Sequence, residues 1–216
     1  VVEGRPSWTS NARLMHFRAG SHYANALIAV AIVATPLLSS TAGVAAEASW
    51  SVDPVHSTAQ FTARHFGIVP VIGTIPIVKA SVQLNGGSQI PTAVSAELDA
   101  SKLDTHDDRR DADLRSEHFF NTGSTPAITF ASTKIDGSDP ENFTITGDLT
   151  MHGQTHPVVL NAKVVGSGKS PRGQPIIAYA ATATIDRTQW GMTFGPMIVG
   201  NNVDLSLNVE ADGPSD

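Results

Sequence analysis

From Trp50 to its C-terminus, the chain is dominated by alternation of apolar and polar residues. In the segment 203–209 every second residue is Val or Leu, and the residues between them are polar. Successive side chains of a strand point to opposite faces, so this pattern predicts a half-buried antiparallel strand. The same reasoning predicts further strands near 57–65, 75–84, 94–98, 127–135, 142–151, 156–165 and 176–186.

Turn-forming residues separate these segments, among them Asn85-Gly86-Gly87 and the glycine-rich stretch 166–173. One window, 104–118, favours a helix instead. Asp107 and Asp108 would lie in its first turn, where the helix N-terminus favours negative charge. We expect one or two helical turns that close an end of the β structure. About eight strands in one domain predict an all-β barrel or sandwich.

The first 46 residues have the layout of a secretory signal segment. An apolar run of 13 residues, 26–38, follows Met15 and is succeeded by the small residues Val44-Ala45-Ala46, which predict cleavage after Ala46. The run is shorter than the ~20 apolar residues of a membrane span, so an uncleaved anchor is the weaker interpretation and no stable span should remain after cleavage. The prediction is an extension and signal peptide over 1–46, one domain over 47–216, and a periplasmic or secreted location.

Charge and cysteine content exclude several classes of function. The chain has a formal net charge of -6 and no cysteine. A protein that holds nucleic acid by neutralising phosphates needs a basic surface, so we expect no nucleic-acid partner. Without cysteine there are no disulfides, thiolate nucleophiles or thiolate metal sites.

The motifs offer no positive sign of catalysis. Residues 166–170 resemble the tail of a phosphate-binding loop, but Lys163 stands where its first glycine is required and Pro171 interrupts the helix that should follow. A Gly-x-Ser-x-Gly elbow is absent from the sequence, and nothing singles out a pair of carboxylates for glycoside hydrolysis. We therefore predict no catalytic residue and no cofactor.

Histidines and aspartates are the remaining candidates for a metal site. His152 and His156 are four residues apart, but Gly153 and Pro157 indicate a turn leading into a strand, where helical spacing does not apply. The aspartates between 107 and 113 are interleaved with arginines, which favours ion pairs on a solvated helix. The sequence therefore predicts no metal site.

The inward face of the predicted strands mixes large and small side chains. Phe61, Phe130 and Tyr179 are large, whereas four alanines are small, namely Ala96, Ala162, Ala181 and Ala183. An eight-stranded barrel is either just filled by side chains or wide enough for one small ligand. The pattern alone leaves both a ligand cavity and a solid core open.

Several recognisable motifs occur in order along residues 49–211. The first comprises Trp50, Asp53, His56, Ser57, Phe61, His65, Gly67 and Gly73. A second runs from Arg110-Asp111 through Leu114, Ser116, Phe119 and Phe120, and the later ones are Gly147-Asp148-Leu149-Thr150 and Arg187, Trp190 and Gly191. Together these motifs resemble those of the YceI family. The resemblance implies an eight-stranded antiparallel, lipocalin-like barrel with one short helix. It also implies a bacterial, periplasmic protein that holds a polyisoprenoid or similar long-chain lipid without metal or catalysis.

Our leading hypothesis is therefore an exported lipid carrier. We expect the tunnel to be lined by Phe61, Phe66, Phe119, Phe120, Phe130, Leu149, Tyr179, Trp190 and Phe194. A polar head group would meet His65, Arg110 and Arg187, because arginine offers a forked pair of donors. The alternative for each arginine is a structural ion pair, with Asp111 or Asp186 respectively.

Two other functions stay open from the sequence. One is a hydrolase or isomerase acting on a lipid in the same cavity, and the other is a structural or stress-response domain with a filled core. An exposed edge or barrel mouth would also permit a homodimer, although no particular residue favours one.

Overall fold

A computed structural model describes residues 47–215 of the chain. The predicted signal segment, 1–46, lies outside the described residues. Within them, no helix is both long enough and apolar enough to cross a bilayer. The described strands are β1 Glu47–Val52, β2 Thr58–His65, β3 Val69–Thr74, β4 Ile77–Asn85, β5 Ala93–Asp99, β6 Ala127–Asp139, β7 Asn142–Met151, β8 Gln154–Lys169, β9 Pro175–Asp186 and β10 Val199–Asp212. The α-helix α1 spans Asp108–Arg115, and two 3-10 turns span Ala100–Lys102 and Arg187–Trp190.

The strands form one antiparallel sheet that closes on itself. Its order is β1-β4-β5-β6-β7-β8-β9-β10, and β10 pairs back with β1. Strand β10 has two successive partners on this edge, because β2 pairs with Val199–Asn208 whereas β1 pairs with Ala211 and Asp212. The hairpin of β2 and β3 thus continues the wall begun by β1 and β4. The predicted eight-stranded barrel with one short helix is confirmed.

The register decides which side chains face the interior. Leu205 of β10 lies between Phe61 of β2 and Ala183 of β9. All three residues belong to the alternating apolar set found in the sequence. Because neighbouring strands keep their apolar residues in line, a continuous apolar surface covers the inside of the barrel.

The two ends of the barrel are closed differently. At the end that holds the β4–β5, β6–β7 and β8–β9 turns, tightly buried side chains fill the interior, namely Val82, Leu84, Phe143, Ile145, Ala162, Tyr179 and Ala211. We call this the filled end. The opposite end carries α1, the segment 116–126 and the loop 191–198. We call it the helix end.

Strands β1 and β3 were not among the predicted strands, and the reason is clearest for β3. Its residues are mostly apolar without alternation and include Pro70, which removes a backbone donor. On the side away from β2, the described structure gives β3 a single bridge, between Thr74 and Asp104. An edge strand of this kind tolerates proline and needs no two-residue period.

The helix is shorter than the predicted window of 104–118. Asp107 caps it by accepting a hydrogen bond from the Arg110 backbone N–H at 2.9 Å, and this bond lowers the pKa of the Asp107 carboxyl. At the other end, the Ser116 N–H donates to the Asp113 carbonyl, and the chain turns away. The predicted ion pairs are represented by Arg115 and Asp111, whose atoms lie 4.0 Å apart.

Candidate functional site

A cavity of about 210 Å³ lies inside the barrel, on the side of the helix end. Its described lining is apolar apart from Gln60 and Arg187. The other lining residues are Val52, Ala59, Phe61, Ala63, Ile75, Ile77, Ala80, Val94, Ala96, Leu98, Leu114, Phe119, Phe120, Ile128, Phe130, Leu149, Met151, Val158, Leu160, Ile185, Met192, Val199, Val203, Leu205, Leu207 and Val209. The interior is therefore solid at the filled end and hollow towards the helix end.

Alanines account for part of the open volume. Ala96 of β5 lies between Ala80 of β4 and Phe130 of β6 in the register, and all three line the cavity. Two neighbouring methyl groups leave space that larger side chains would occupy. Of the alanines that the sequence placed on the inward face, Ala96 borders the cavity, whereas Ala162 is packed into the filled end.

Two glycines position the aromatic rings of the lining. A Cβ on Gly73 would stand 2.3 Å from Cζ of Phe61, and one on Gly147 would stand 2.4 Å from Cζ of Phe130. Each ring therefore lies against bare backbone. This close approach keeps the rings at the wall and out of the centre of the cavity.

A hydrogen-bond network attaches the start of α1 to the barrel. The buried carboxylate of Asp111 accepts bonds from the Thr105 hydroxyl and from its backbone N–H, the latter at 2.9 Å. Arg110 donates from Nε to Thr105 Oγ1 at 2.8 Å and from a terminal nitrogen to the Thr105 carbonyl at 2.6 Å. Leu114, one turn further along the helix, is thereby held against the cavity. The side-chain bonds of Arg110 thus go to Thr105, whereas the structural alternative expected from the sequence was an ion pair with Asp111.

Arg187 is buried, with 3% of its surface exposed, and organises the loop 191–200. Its guanidinium donates to the carbonyls of Met192, Phe194, Val199 and Gly200, the last three at 2.9, 3.0 and 3.0 Å. Burial lowers its pKa, and the nearby charge of Asp186 opposes that change. Four charge-assisted bonds compensate for the desolvation of the cation.

Phe119 packs against this arginine from the segment that follows α1. The guanidinium carbon of Arg187 lies 5.8 Å from the centre of the Phe119 ring, a cation–π geometry. Both residues also border the cavity. Because Arg187 also binds carbonyls of the loop 191–198, its contact with Phe119 links the segment 116–126 to that loop across the helix end.

Trp190 closes the wall next to the cavity. Its indole N–H donates to the Leu149 carbonyl at 3.0 Å, and Nδ1 of His152 lies 2.8 Å from the Trp190 carbonyl. The His156 ring meets the indole edge-on at 5.2 Å. His152 and His156 were considered as possible metal ligands from the sequence. In the structure both of them contact Trp190.

The structure brings six of the twelve predicted ligand-binding residues to the cavity lining. They are Phe61, Phe119, Phe120, Phe130, Leu149 and Arg187. Tyr179 and Trp190 are buried outside the described lining, and the Tyr179 hydroxyl donates to the Gln89 carbonyl at the filled end. Phe66, Phe194 and His65 lie at the surface of the helix end, and Arg110 lies on α1. The ligand-binding role of all twelve stays a prediction.

Most of the lining was not selected from the sequence because it is aliphatic. The valines and leucines of β10, such as Val203 and Leu207, were recognised as an inward face but not as site residues. Their period-two pattern was the available signal. The contributions of Leu114 and Met192 come from outside the strands, where no such pattern applies.

A second polar cluster lies on the barrel wall, where β1 gives way to β2. A carboxylate oxygen of Asp53, one of Glu210 and a ring nitrogen of His56 lie within 4.8 Å of one another. His56 Nδ1 is 2.8 Å from Asp53 Oδ2. This bond and the charge of Asp53 raise the pKa of His56, whereas the bond to His56 lowers the pKa of Asp53. The Ser57 hydroxyl accepts the Glu210 N–H at 3.0 Å. The cluster therefore attaches the bend between β1 and β2 to β10.

This chain is similar to known proteins in both sequence and structure. Residues 50–211 match the YceI-like domain. The chain is 32% identical over 172 residues to a UPF0312 protein of Enterobacter sp. strain 638, covering 79% of this chain and 89% of the relative. Among solved structures, Burkholderia cenocepacia BcnA is similar with a TM-score of 0.65 at 19% identity, covering 74% of this chain and 98% of that one. A polyisoprenoid-binding domain from Saccharophagus degradans has a TM-score of 0.57 at 14% identity, covering 77% and 99% of the two chains.

Proposed function

The chain belongs to the YceI-like domain family, and from that premise we propose that it is a lipid-binding protein whose barrel shelters a long apolar chain. The observation that carries the proposal is the apolar cavity at the helix end. The structural likeness to a polyisoprenoid-binding domain supports this class of ligand. We take a polyisoprenoid or a similar amphiphile as the ligand.

The chemistry of the lining fits a hydrocarbon chain. Each methylene taken from water into such a site contributes ~0.8 kcal/mol, so affinity grows with the length of tail enclosed. The volume of about 210 Å³ exceeds the ~150 Å³ that suffices for benzene in an apolar protein cavity. It is smaller than the ~300–1,000 Å³ of a drug-sized ligand site. The cavity therefore encloses part of a long chain, and the remainder lies towards the helix end.

The polar head group belongs outside the cavity. Arg187 borders the lining, but its guanidinium already donates to four backbone carbonyls. We therefore place the head group at the surface of the helix end, where His65 is exposed. Selection of the ligand by its tail, with a loosely held head, follows from this arrangement.

We further propose that the protein is not an enzyme and acts outside the cytoplasm. The polar groups of the described lining are an amide, Gln60, and a hydrogen-bonded guanidinium, Arg187, and neither serves as a nucleophile or a base at neutral pH. Export is supported by the signal-like pattern of 1–46. N-terminal sequencing of the protein recovered from the periplasm or culture medium tests it, and a chain that stays cytoplasmic contradicts it.

Native mass spectrometry tests lipid binding directly. The purified protein is expected to carry one apolar ligand, which extraction then identifies. Replacing Ala80 and Ala96 together by Leu fills the cavity, and we expect at least about a tenfold loss of bound lipid. The matched control is Ala131→Leu, on the exposed outer face of β6, which should bind lipid like the wild type.

Two outcomes contradict the proposal. A wild-type protein that stays free of ligand after incubation with polyprenols and fatty acids does not use its cavity for lipid. Equal lipid content in the A80L/A96L and A131L variants would place the ligand elsewhere on the protein. Circular dichroism of each variant checks that a loss of lipid is not a loss of fold.

A further inference from the structure

Large apolar side chains are exposed around the helix end. They come from the turn between β2 and β3 and from the loop 191–198, and we call them the apolar rim: Phe66, Ile68, Phe194, Met197 and Ile198. Ile68 is 75% exposed and Met197 is 85% exposed. An apolar cluster of this kind on a soluble domain marks a surface that binds another apolar surface.

Hydrogen bonds hold the rim in place. The Phe66 N–H donates to the Ile198 carbonyl at 2.8 Å, which joins the two turns. The Ile198 N–H donates to the Gly195 carbonyl at 2.8 Å, and Arg187 binds the carbonyl of Phe194. The backbone of both turns is thus anchored while their apolar side chains face outward. The exposure of the rim is built into the fold.

The rim is continuous with the cavity. Phe194 packs edge-on against Phe119, with ring centres 5.8 Å apart, and Phe119 lines the cavity. Ala63 and Val199, which flank the two turns, also belong to the lining. An apolar path therefore leads from the interior of the barrel to its outer surface at this end.

The charge pattern of the two rim segments is unlike that of the rest of the chain. The protein has 20 acidic residues, yet none occurs in 54–96 or in 187–203, the stretches that contain the rim. Arg64 and His65 immediately precede it, and His65 pairs with Val199 in the register. In space, Asp186 shares a surface pocket with Arg64, and Asp113 lies 3.7 Å from His118, whose ring stacks on Phe194. A surface bearing anionic head groups would therefore meet apolar and basic side chains of the rim segments, with each of these nearby carboxylates beside a basic residue.

We propose that the apolar rim docks on the surface of a lipid bilayer, so that a lipid tail moves between bilayer and cavity without crossing water. This inference rests on the proposed function, because a lipid-binding barrel must exchange its ligand with a membrane. The rim side chains would enter the interface, as the apolar face of an interfacial helix does. A second copy of the chain is the competing occupant, and the test separates the two.

The absence of cysteine permits a site-specific test on the full chain. Met197→Cys, labelled with an environment-sensitive fluorophore, reports on the rim. Val55→Cys, at a residue 82% exposed on the side wall, is the matched control. With vesicles of phosphatidylcholine containing phosphatidylglycerol, we expect a blue shift and quenching by brominated lipid at 197 only. A label at 197 that stays in water, or one that shifts no more than the label at 55, overturns the proposal.

A charge in the rim provides the second arm. Ile68→Asp in the labelled M197C protein should weaken partition to the vesicles at least about tenfold, whereas Val165→Asp, exposed on β8, should leave it unchanged. Equal partition of the two variants overturns the proposal. A fluorescence shift at 197 that grows with protein concentration in the absence of vesicles identifies a second copy as the occupant and also overturns it.

Lipid binding is measured separately, with a polyprenol delivered from cyclodextrin. If I68D binds the polyprenol like the wild type but no longer reaches vesicles, the docking proposal is supported. If the wild type docks on vesicles but never retains the polyprenol, the proposed function fails, and the docking result is read independently of it.

Discussion

Phe61 lies directly across the β2–β3 pair from Gly73, and its ring covers the space that a side chain at Gly73 would need. The Phe130 ring likewise covers the space that a side chain at Gly147 would need, although the register partner of Phe130 is Leu149. Two aromatic rings that bound the cavity are thus seated on glycine backbone of neighbouring strands. The width of the cavity therefore depends on the absence of a side chain at Gly73 and Gly147.

Gly73→Ala should destabilise the fold and narrow the cavity. The new methyl group would stand 2.3 Å from Phe61 and 2.7 Å from Thr105, so the Phe61 ring must move towards the cavity. Overpacking of this kind costs about 1–3 kcal/mol of unfolding free energy. Urea denaturation measures it. Gly166→Ala is the control, because no atom lies within 4 Å of the added carbon, and equal midpoints for the two variants would contradict this account.

Arg187→Met should loosen the loop 191–200. Four carbonyls lose their donor, so we expect a loss of about 2–4 kcal/mol and faster amide hydrogen exchange in the loop. Arg172→Met, on an exposed turn, removes the same charge without these bonds and should cost little. Unchanged exchange at 191–200 in R187M would show that the loop is held by other contacts.

Thr105→Val tests the attachment of α1. The substitution keeps the shape but removes the hydroxyl that donates to Asp111 and accepts from Arg110. Leaving these groups without that partner should cost about 1–3 kcal/mol and speed amide exchange over 105–115. Thr105→Ser retains the hydroxyl and should keep most of the protection. Amide exchange over 105–115 that is as slow in T105V as in T105S would show that the hydroxyl does not hold the helix.

The Asp53 carboxylate should shift the titration of the His56 ring. Asp53 raises the pKa of His56, so an NMR titration of the ring should show a midpoint above the ordinary value of about 6.5. Asp53→Asn should lower this midpoint, and Glu210→Gln should lower it less, since its carboxylate acts only through its charge. An unchanged midpoint in D53N would contradict the assignment.

The same pair sets a pH window for its small contribution to stability. The raised pKa of His56 gives a contribution that is complete below about pH 6.5 and is lost as pH rises through the folded value. The lowered pKa of Asp53 gives one that is complete above about pH 4 and is lost as pH falls through the folded value. Unfolding midpoints of D53N and wild type should therefore differ most between these limits.

Much of the fold follows from period-two alternation, because a half-buried strand must alternate. The pattern at 203–209 marked the inward face of β10, and Leu205 indeed lies among inward residues of both neighbouring strands. Strand β3 was not predicted, because an edge strand that contains Pro70 does not alternate apolar and polar residues. The bend between β1 and β2 is likewise set by contacts with Glu210, which is distant in the sequence.

The candidate site was less predictable for a physical reason. An aromatic side chain serves equally well in a cavity wall, in a solid core or on a rim, so residue type did not separate Phe130 from Trp190 or Phe194. Arg187 was predicted to meet a head group because it is a cation. Its partners are backbone carbonyls, which every residue carries, so the sequence could not identify them. The hollow itself depends on which alanines face each other across strands, as Ala80 and Ala96 do.

The packed floor at the filled end gives the barrel a fixed depth. Phe143 and Tyr179 are closely buried there, so the hollow has a blind bottom rather than a passage through the molecule. Under the proposed function, a lipid tail would therefore enter and leave the hollow through the helix end. Carbons beyond that depth would remain outside the barrel, so the packed floor would set an upper limit on the length of tail that the protein shelters.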